Sequence, residues 1–386
     1  MVNPCSAKGE SDYNGADIPP SMKEPAMTAS PKPIRPCPDC AADEPIVARE
    51  PDRRAFLQSS LAVIAASSSL PLWATPKTVA QPTSNAPSET AVKAFFDTIT
   101  PEQRKVICFP WDFQDPKRGL LRTRVANNWQ ITKPTIDSDF FTKTQRGMLH
   151  DIFRGLFQPE WVAKIEKQLK DDTQGKPWGA GQSVAIFGHP GAEKFEFVMT
   201  GRHLTIRADG DSEAHVALGG PIFHGHAAES DNEKPNHPGN VFWHQALEAN
   251  KVFEMLSGKQ RASALVEHAP KESDVPLRGA GGPFPGLAVR EMSSDQKGQV
   301  EKTLKSLVAP YRECDQKEIF ACVKKQGGLE ACSLAFYKDA DIGDDGVWDN
   351  WRLEGPSLVW YFRGDPHVHI WINVADSPEP KLNAQG

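Results

Sequence analysis

The stretch SLVWYFRGDPHVHIWINV, residues 357–374, decides the fold class of this chain. Two runs rich in β-branched and aromatic residues flank an Arg-Gly-Asp-Pro segment, which is typical turn chemistry between paired strands. We therefore predict an antiparallel hairpin here. Because side chains alternate across a strand, His367, His369 and Trp371 share one face and Val368 points to the other.

A second group of strands is predicted upstream, where QSVAIFGHPGAEKFEFVMTGRHLTIRAD alternates with a period of two. It indicates a three-strand antiparallel meander over about 183–208, with the Gly201-Arg202 step at a type II′ hairpin turn. Residues 209–240, rich in Gly, Pro, Asp and His, are predicted to form a long loop. The segments SLAFYKDA and WDNWRLEGP then precede the final hairpin.

Apolar residues at helical spacing predict helices in several blocks along the chain. Ser88, Asn240 and either Ser293 or Ser294 are candidate N-caps, and Gly258 is a candidate helix stop. Helices and strands occur in separate blocks rather than as alternating βαβ units, which indicates an α+β fold.

We therefore predict a single large α+β domain over residues 90–376. Its antiparallel sheet would be assembled from two distant meanders and would carry a helical layer. Residues 377–386 are interpreted as a flexible tail.

Histidine pairs are the clearest chemical signal in the sequence. On an extended backbone, side chains at i and i+2 leave the same face with Cα atoms about 7 Å apart, a span that two imidazoles can close onto one ion. His367 and His369 have this spacing in the final hairpin, and His224 and His226 have it in GPIFHGHAAE. With His203, beside the predicted turn, they form a nitrogen-rich set of candidate ligands that favours copper, zinc or iron.

Each candidate also has a structural interpretation. The two pairs could face solvent, and His203 could be an ordinary turn residue. If the groups converge, we expect a redox or hydrolytic metalloenzyme acting on a substrate that the sequence does not identify. Candidates for completing the site or for a general base are the carboxylates Asp344, Asp345, Asp349 and Glu354. A metal-independent hydrolase with a histidine base is a further interpretation.

A cluster of tryptophans supports an alternative function. Trp348, Trp351, Trp360 and Trp371 are close together in the sequence. If exposed, they could bind extracellular or cell-wall carbohydrate without catalysis, whereas their ordinary role is core packing.

The N-terminal part has the features of a targeting segment. Residues 1–52 hold 10 of the 33 prolines and are predicted to be a disordered leader. Residues 53–80 combine Arg53 and Arg54 with an Ala- and Ser-rich apolar run, as in twin-arginine export signals, and the run is too short for a stable membrane span. We expect the twin-arginine machinery to export the protein to the periplasm or the extracellular space, with residues 81–89 as a linker.

Charge and cysteine content restrict the partners and the chemistry further. The net charge of −6, without a basic patch, argues against nucleic acid as a partner. The Cys37-Pro-Asp-Cys40 motif lies in the leader and is expected to be removed with it. Four later cysteines could form a disulfide in an oxidising compartment or remain as buried thiols: Cys108, Cys314, Cys322 and Cys332.

Five segments together resemble a known family. They are FEFVMTGRHLTIR, GGPIFHGHAAE, LSGKQRASAL, LEGPSLVWYF and PHVHIWINV. As a set they resemble domain-of-unknown-function family 3500 (DUF3500) over most of residues 90–376. The family often has a Gly-His-His-Leu turn, so Arg202 replaces the first histidine here and His203 keeps the second; His367 and His369 correspond to the terminal His-x-His. The resemblance implies one domain and implies no reaction.

Overall fold

The part of the chain described by the computed structural model is residues 87–384, apart from 193, 227–236, 238, 340 and 342–345. The predicted leader and export signal, with the Cys37 and Cys40 motif, therefore lie outside the described residues. So do most of the predicted linker and two candidate carboxylates, Asp344 and Asp345.

Eight α-helices occur in the described residues. They are α1 (Pro87–Thr98), α2 (Pro101–Ile107), α3 (Lys143–Arg154), α4 (Pro159–Asp172), α5 (Trp243–Glu254), α6 (Gly258–Ala264), α7 (Ser294–Val308) and α8 (Glu313–Lys325).

The strands of the described residues alternate with these helices in blocks. They are β1 (Cys108–Phe109), β2 (Gln114–Asp115), β3 (Gly119–Leu120), β4 (Gln182–Gly188), β5 (Phe195–Gly201), β6 (Leu204–Ala208), β7 (Ile222–His226), β8 (Leu265–Val266), β9 (Leu287–Ala288), β10 (Ser333–Tyr337), β11 (Asn350–Gly355), β12 (Leu358–Arg363) and β13 (Val368–Val374).

Eleven of these strands form one sheet in the order β1-β4-β5-β6-β7-β13-β12-β11-β10-β8, with β9 also paired to β10. The two predicted meanders are present, and they join where β7 pairs with β13 in antiparallel register. The sheet is antiparallel through both meanders, as predicted, and two short edge strands add parallel pairs, β1 with β4 and β8 with β10. The α+β class and the single domain are confirmed.

The two faces of the sheet are covered differently. Ile370 and Trp360 belong to the helix-covered face, where they join buried residues of α3, α4 and α7 in the main core. Burial of each such side chain stabilises the fold by about 1.5–3 kcal/mol. Trp371, Tyr361 and Phe223 pack on the opposite face, which we call the histidine face because residues of β13 alternate and His369 points to it.

Extended segments rather than helices cover the histidine face. Trp129 and neighbouring residues of 121–131 pack over β4 and β5. Val275 and Ala384 pack over the other half of the sheet. The backbone N–H of Val275 donates to the carbonyl of Ala384 at 3.2 Å, and Asn383 bonds to Thr123. Asn383 and Ala384 therefore bond to both segments that cover the histidine face.

Helix boundaries confirm one predicted cap and correct three other predictions. Ser293 caps α7 by accepting a bond from the N–H of Gln296. Ser88 lies inside α1 and Phe242, not Asn240, precedes α5, so neither predicted residue is a cap. Gly258 begins α6 instead of ending a helix, because the Ser257 hydroxyl and the Gln260 side chain form a capping box there.

The predicted loop over 209–240 is wrong in part, because it contains β7. This strand is buried along its whole length and pairs with both β6 and β13, so partners on both sides satisfy its backbone.

The described residues include all four cysteines that follow the leader. Cys108, Cys314, Cys322 and Cys332 are all free thiols. The interpretation as buried thiols fits Cys322 and Cys332, whereas Cys108 is partly buried and Cys314 is exposed. Burial raises the pKa of Cys332 to about 12, so this thiol is unreactive at neutral pH. Across the described ranges, no helix has the length and apolar character required to cross a membrane.

Candidate metal centre

Three of the five candidate histidines converge on the histidine face. His203, His367 and His369 are each 0 % exposed, and one ligand atom from each lies within 4.8 Å of the others. Nε2 of His367 is 3.0 Å from Nε2 of His203 and 2.8 Å from Nε2 of His369. We call this group the histidine triad.

The β5–β6 turn places His203 in the triad. Gly201 pairs directly with Leu204, so the turn consists of Arg202 and His203, one residue later than the predicted Gly201-Arg202 step. His203 has φ 55°, in the left-handed region that histidine adopts more readily than most residues. Its backbone N–H donates to the carbonyl of Asn127 at 2.8 Å, which fixes the turn against residues 121–131, the segment that covers this part of the histidine face.

A glycine on the neighbouring strand makes room for the His203 ring. Gly225 of β7 is directly opposite His369 of β13. A Cβ atom on Gly225 would lie 3.0 Å from Cδ2 of His203 and 2.8 Å from the carbonyl oxygen of Val368. The triad therefore depends on glycine at position 225 as well as on its three ligands.

Two buried carboxylates lie behind the triad. Nδ1 of His203 is 3.1 Å from Oδ1 of Asp172, at the end of α4. Nδ1 of His369 is 3.0 and 3.1 Å from the two carboxylate oxygens of Glu272. Because a carboxylate only accepts hydrogen bonds, the contact with Glu272 favours a proton on Nδ1 of His369. The negative charge of Asp172 favours a proton on Nδ1 of His203. Each Nε2 then keeps its lone pair.

The three Nε2 atoms face one another across the site. With lone pairs on Nε2 of His203 and His369, Nε2 of His367 can donate a hydrogen bond to one of these two rings at a time. A cation placed between the three nitrogens would accept a lone pair from each of them.

Electrostatics keeps one of the rings in the ligating form. Burial, followed by the positive charge of Arg363 and the neighbouring His367, lowers the pKa of His369 well below its ordinary value. The ring is therefore neutral at physiological pH, and a neutral imidazole is the form that binds metals.

A first-row transition metal would require the three nitrogens to become equally spaced. An ion at about 2.0–2.1 Å from each of three tetrahedral nitrogens separates those nitrogens by about 3.3 Å. The distances from Nε2 of His367 to Nε2 of His203 and of His369, 3.0 and 2.8 Å, must open by a few tenths of an ångström. The ligand atoms of His203 and His369, which lie within 4.8 Å of each other, must reach the same separation. Three ligands leave a fourth position, the arrangement of catalytic rather than structural sites.

The His-Gly-His pair does not join the triad. His224 and His226 lie on the other face of β7 from Phe223, towards the helices, and both are buried rather than presented to water. The rings of Phe157, Phe242 and Tyr311 lie 5.5–5.9 Å from His224, and burial lowers its pKa to about 3. Nδ1 of His226 is 4.0 Å from Asp172, so it approaches the carboxylate behind His203 and not the ligand atoms.

The described candidate carboxylates, Asp349 and Glu354, do not belong to the group of ligands formed by the triad. Glu354 pairs with Arg278 and Arg352. The carboxylates that lie at the triad are Asp172 and Glu272 instead. Glu272 is 97 residues from His369, and no local motif marks either residue.

The tryptophans contradict the exposed aromatic surface of the carbohydrate-binding alternative. Trp351, Trp360 and Trp371 are at most 2 % exposed, and Trp348 is partly buried against the main core. Their ordinary role as core residues is the observed one.

Comparisons with known proteins place the chain by family alone. No curated protein and no solved structure matches it significantly. The family model described as "Protein of unknown function (DUF3500)" matches residues 82–371, which include the whole histidine triad and both carboxylates. The chain therefore belongs to the DUF3500 family.

Proposed function

We propose that this protein binds one transition-metal ion, copper, zinc or iron, through the Nε2 atoms of His203, His367 and His369. The observation that carries the proposal is the convergence of three buried Nε2 atoms whose opposite ring nitrogens, in two of the three, face a carboxylate. A hydrogen-bonded histidine cluster without an ion explains the arrangement less well, because a single N–H of His367 serves one neighbouring ring at a time, whereas one ion accepts a lone pair from all three rings.

The ligand set supports a catalytic metal site. Three neutral imidazoles leave the positive charge of the ion undiminished, so such an ion would supply Lewis acidity or, if it is copper or iron, electron transfer. The protein excludes bulk water from the ligands, since all three are 0 % exposed. The Asp172 and Glu272 carboxylates orient two of the rings, and a hydrolytic or a redox reaction would follow from the identity of the ion.

Metal analysis of the purified full chain tests this proposal. We expect about one ion per chain in the wild type and its loss in the double variant His367→Ala/His369→Ala. His268→Ala is the matched control, because that ring is 80 % exposed and pairs with Asp339. Circular dichroism checks that the double variant folds, and His203→Asn supplies an independent test from the β5–β6 turn. Equal metal content in the wild type and all the variants would refute the proposal.

We also propose that the twin-arginine machinery exports the protein to the periplasm or the extracellular space. Support comes from Arg53 and Arg54 and the apolar run that follows them. Fractionation of cells that express the full chain should find the wild type exported and Arg53→Lys/Arg54→Lys retained in the cytoplasm. Equal export of both proteins would contradict this route.

A further inference from the structure

One carboxylate connects the histidine triad to an arginine on the adjacent strand. Glu272 is 7 % exposed, and its two oxygens lie 3.0 and 3.1 Å from Nδ1 of His369. Oε2 of Glu272 also lies 2.9 Å from Nη1 of Arg363. Arg363 is directly opposite His369 in the β12–β13 register, so both side chains rise from the same face of the sheet.

We propose that Glu272 is a positioning residue for the metal ligand His369 and that Arg363 holds Glu272 in that role. The inference rests on the proposed metal site. A carboxylate at Nδ1 fixes the tautomer in which the Nε2 lone pair faces the ion, and it increases the donor strength of the ring. The guanidinium restrains the carboxylate, so that Glu272 stays behind the ring instead of turning towards the ion.

Glu272 is not needed to fasten its own segment to the domain. The segment around Glu272 has other attachments to the domain. The Tyr361 hydroxyl donates to the Pro270 carbonyl at 3.4 Å, the Asn373 amide donates to the Val275 carbonyl at 2.8 Å, and Val275 is tied to Ala384. Replacement of the carboxylate charge should therefore leave the fold in place and act on the metal.

The two carboxylates of the site also differ in their surroundings. Glu272 is paired with an arginine, whereas Asp172 accepts from the side-chain amide of Gln168 at 3.4 Å and lies near His226. Arg363 lies on the His369 side of the triad, opposite His369 in the strand register. Its favourable effect on this ligand passes through Glu272, because its own positive charge directly disfavours a bound cation.

Copper(II) is the probe for the test, with the full chain as wild type, Glu272→Gln, Arg363→Met and the double variant. Affinity is measured by competition with a chelator, and electron paramagnetic resonance reports the nitrogen ligands. We expect Glu272→Gln to bind about 10–100-fold more weakly, with altered nitrogen hyperfine coupling. Arg363→Met should lose less, and the double variant should be no weaker than Glu272→Gln alone, because Arg363 acts through Glu272.

Arg278→Met is the matched control. It removes an arginine that pairs with Asp274 and Glu354, away from the triad, and should leave both copper readouts unchanged. Wild-type affinity and spectrum in Glu272→Gln would overturn the positioning role while leaving the metal site intact. Additive losses in the double variant would overturn the part assigned to Arg363. Failure of the wild type to bind copper(II) above the level of His367→Ala/His369→Ala would overturn the site itself and this inference with it.

Discussion

At the scale of single residues, three different constraints produce the triad. The left-handed backbone conformation of His203 directs its ring to the site, and alternation along β13 directs the ring of His369 there. A carboxylate lies behind each of these two rings. The spacing of His367 and His369 was sufficient to predict a shared face, because alternation along a strand is a local property. Asp172 and Glu272 could not be predicted, because nothing in the local sequence records contacts between distant segments.

Gly225 provides a prediction at this scale. In Gly225→Ala, the new methyl group meets the His203 ring and the Val368 carbonyl at 3.0 and 2.8 Å, so the ring or the strand must move. We expect about 1–3 kcal/mol of destabilisation in urea unfolding, together with weaker metal binding in chelator competition.

Gly298→Ala is the control for that change. Gly298 lies inside α7 with no atom near the position of an added Cβ, so alanine should stabilise the protein by about 0.5–1 kcal/mol and leave metal binding unchanged. A Gly225→Ala protein with wild-type metal affinity would show that the His203 ring does not need the space.

At the scale of elements, the order β6-β7-β13 brings the triad together. The hairpins of β4–β6 and β12–β13 were predictable, because turn chemistry and alternation lie within a few residues. The sequence predicts a loop at strand β7, because the strand is short, contains a glycine and two histidines, and acquires its strand character from distant pairing with β13. The two histidines of β7 therefore point to the helices and not to the triad.

Helix α8 supplies a prediction about pH. The backbone N–H of Leu218 donates to Oε2 of Glu318 at 3.4 Å, and burial, followed by Asp209 and Asp315, raises the pKa of Glu318 to about 8. The folded protein thus retains a proton between about pH 4.5 and pH 8 that the unfolded chain releases, so Glu318 makes the free energy of unfolding fall as pH rises through this range. Glu318→Gln should be close to wild type in stability at pH 5 and more stable than wild type at pH 8.

Urea unfolding at the two pH values measures this difference. Glu313→Gln, on the same helix, is the control, because contact with Lys317 lowers the pKa of this exposed residue and no stabilisation at pH 8 should result. A Glu318→Gln effect of the same size at pH 5 and pH 8 would rule out ionisation as its cause.

At the scale of the whole molecule, the triad lies where the two halves of the sheet meet. His203 comes from the β4–β7 half, and His367 and His369 come from the β10–β13 half, which pairs with it through β7 and β13. The sequence predicted two meanders in one α+β domain. It could not predict which strands join them, because that choice depends on packing over the whole sheet.

A bound ion should therefore stabilise the entire domain against unfolding. At a free metal concentration 100 times the dissociation constant, the free energy of unfolding should rise by about 2.7 kcal/mol, because the unfolded chain has no preformed site. Thermal unfolding with and without a chelator measures the effect. His367→Ala/His369→Ala should show no such shift, and an equal shift in that variant would assign the metal to another site.

Anomalous diffraction from crystals of the metal-loaded protein, collected at the absorption edge of the metal, would locate the ion. We expect one strong peak on the histidine face, about 2.0–2.1 Å from Nε2 of each of His203, His367 and His369. A peak bound by other residues, or none at the triad, would contradict this expectation.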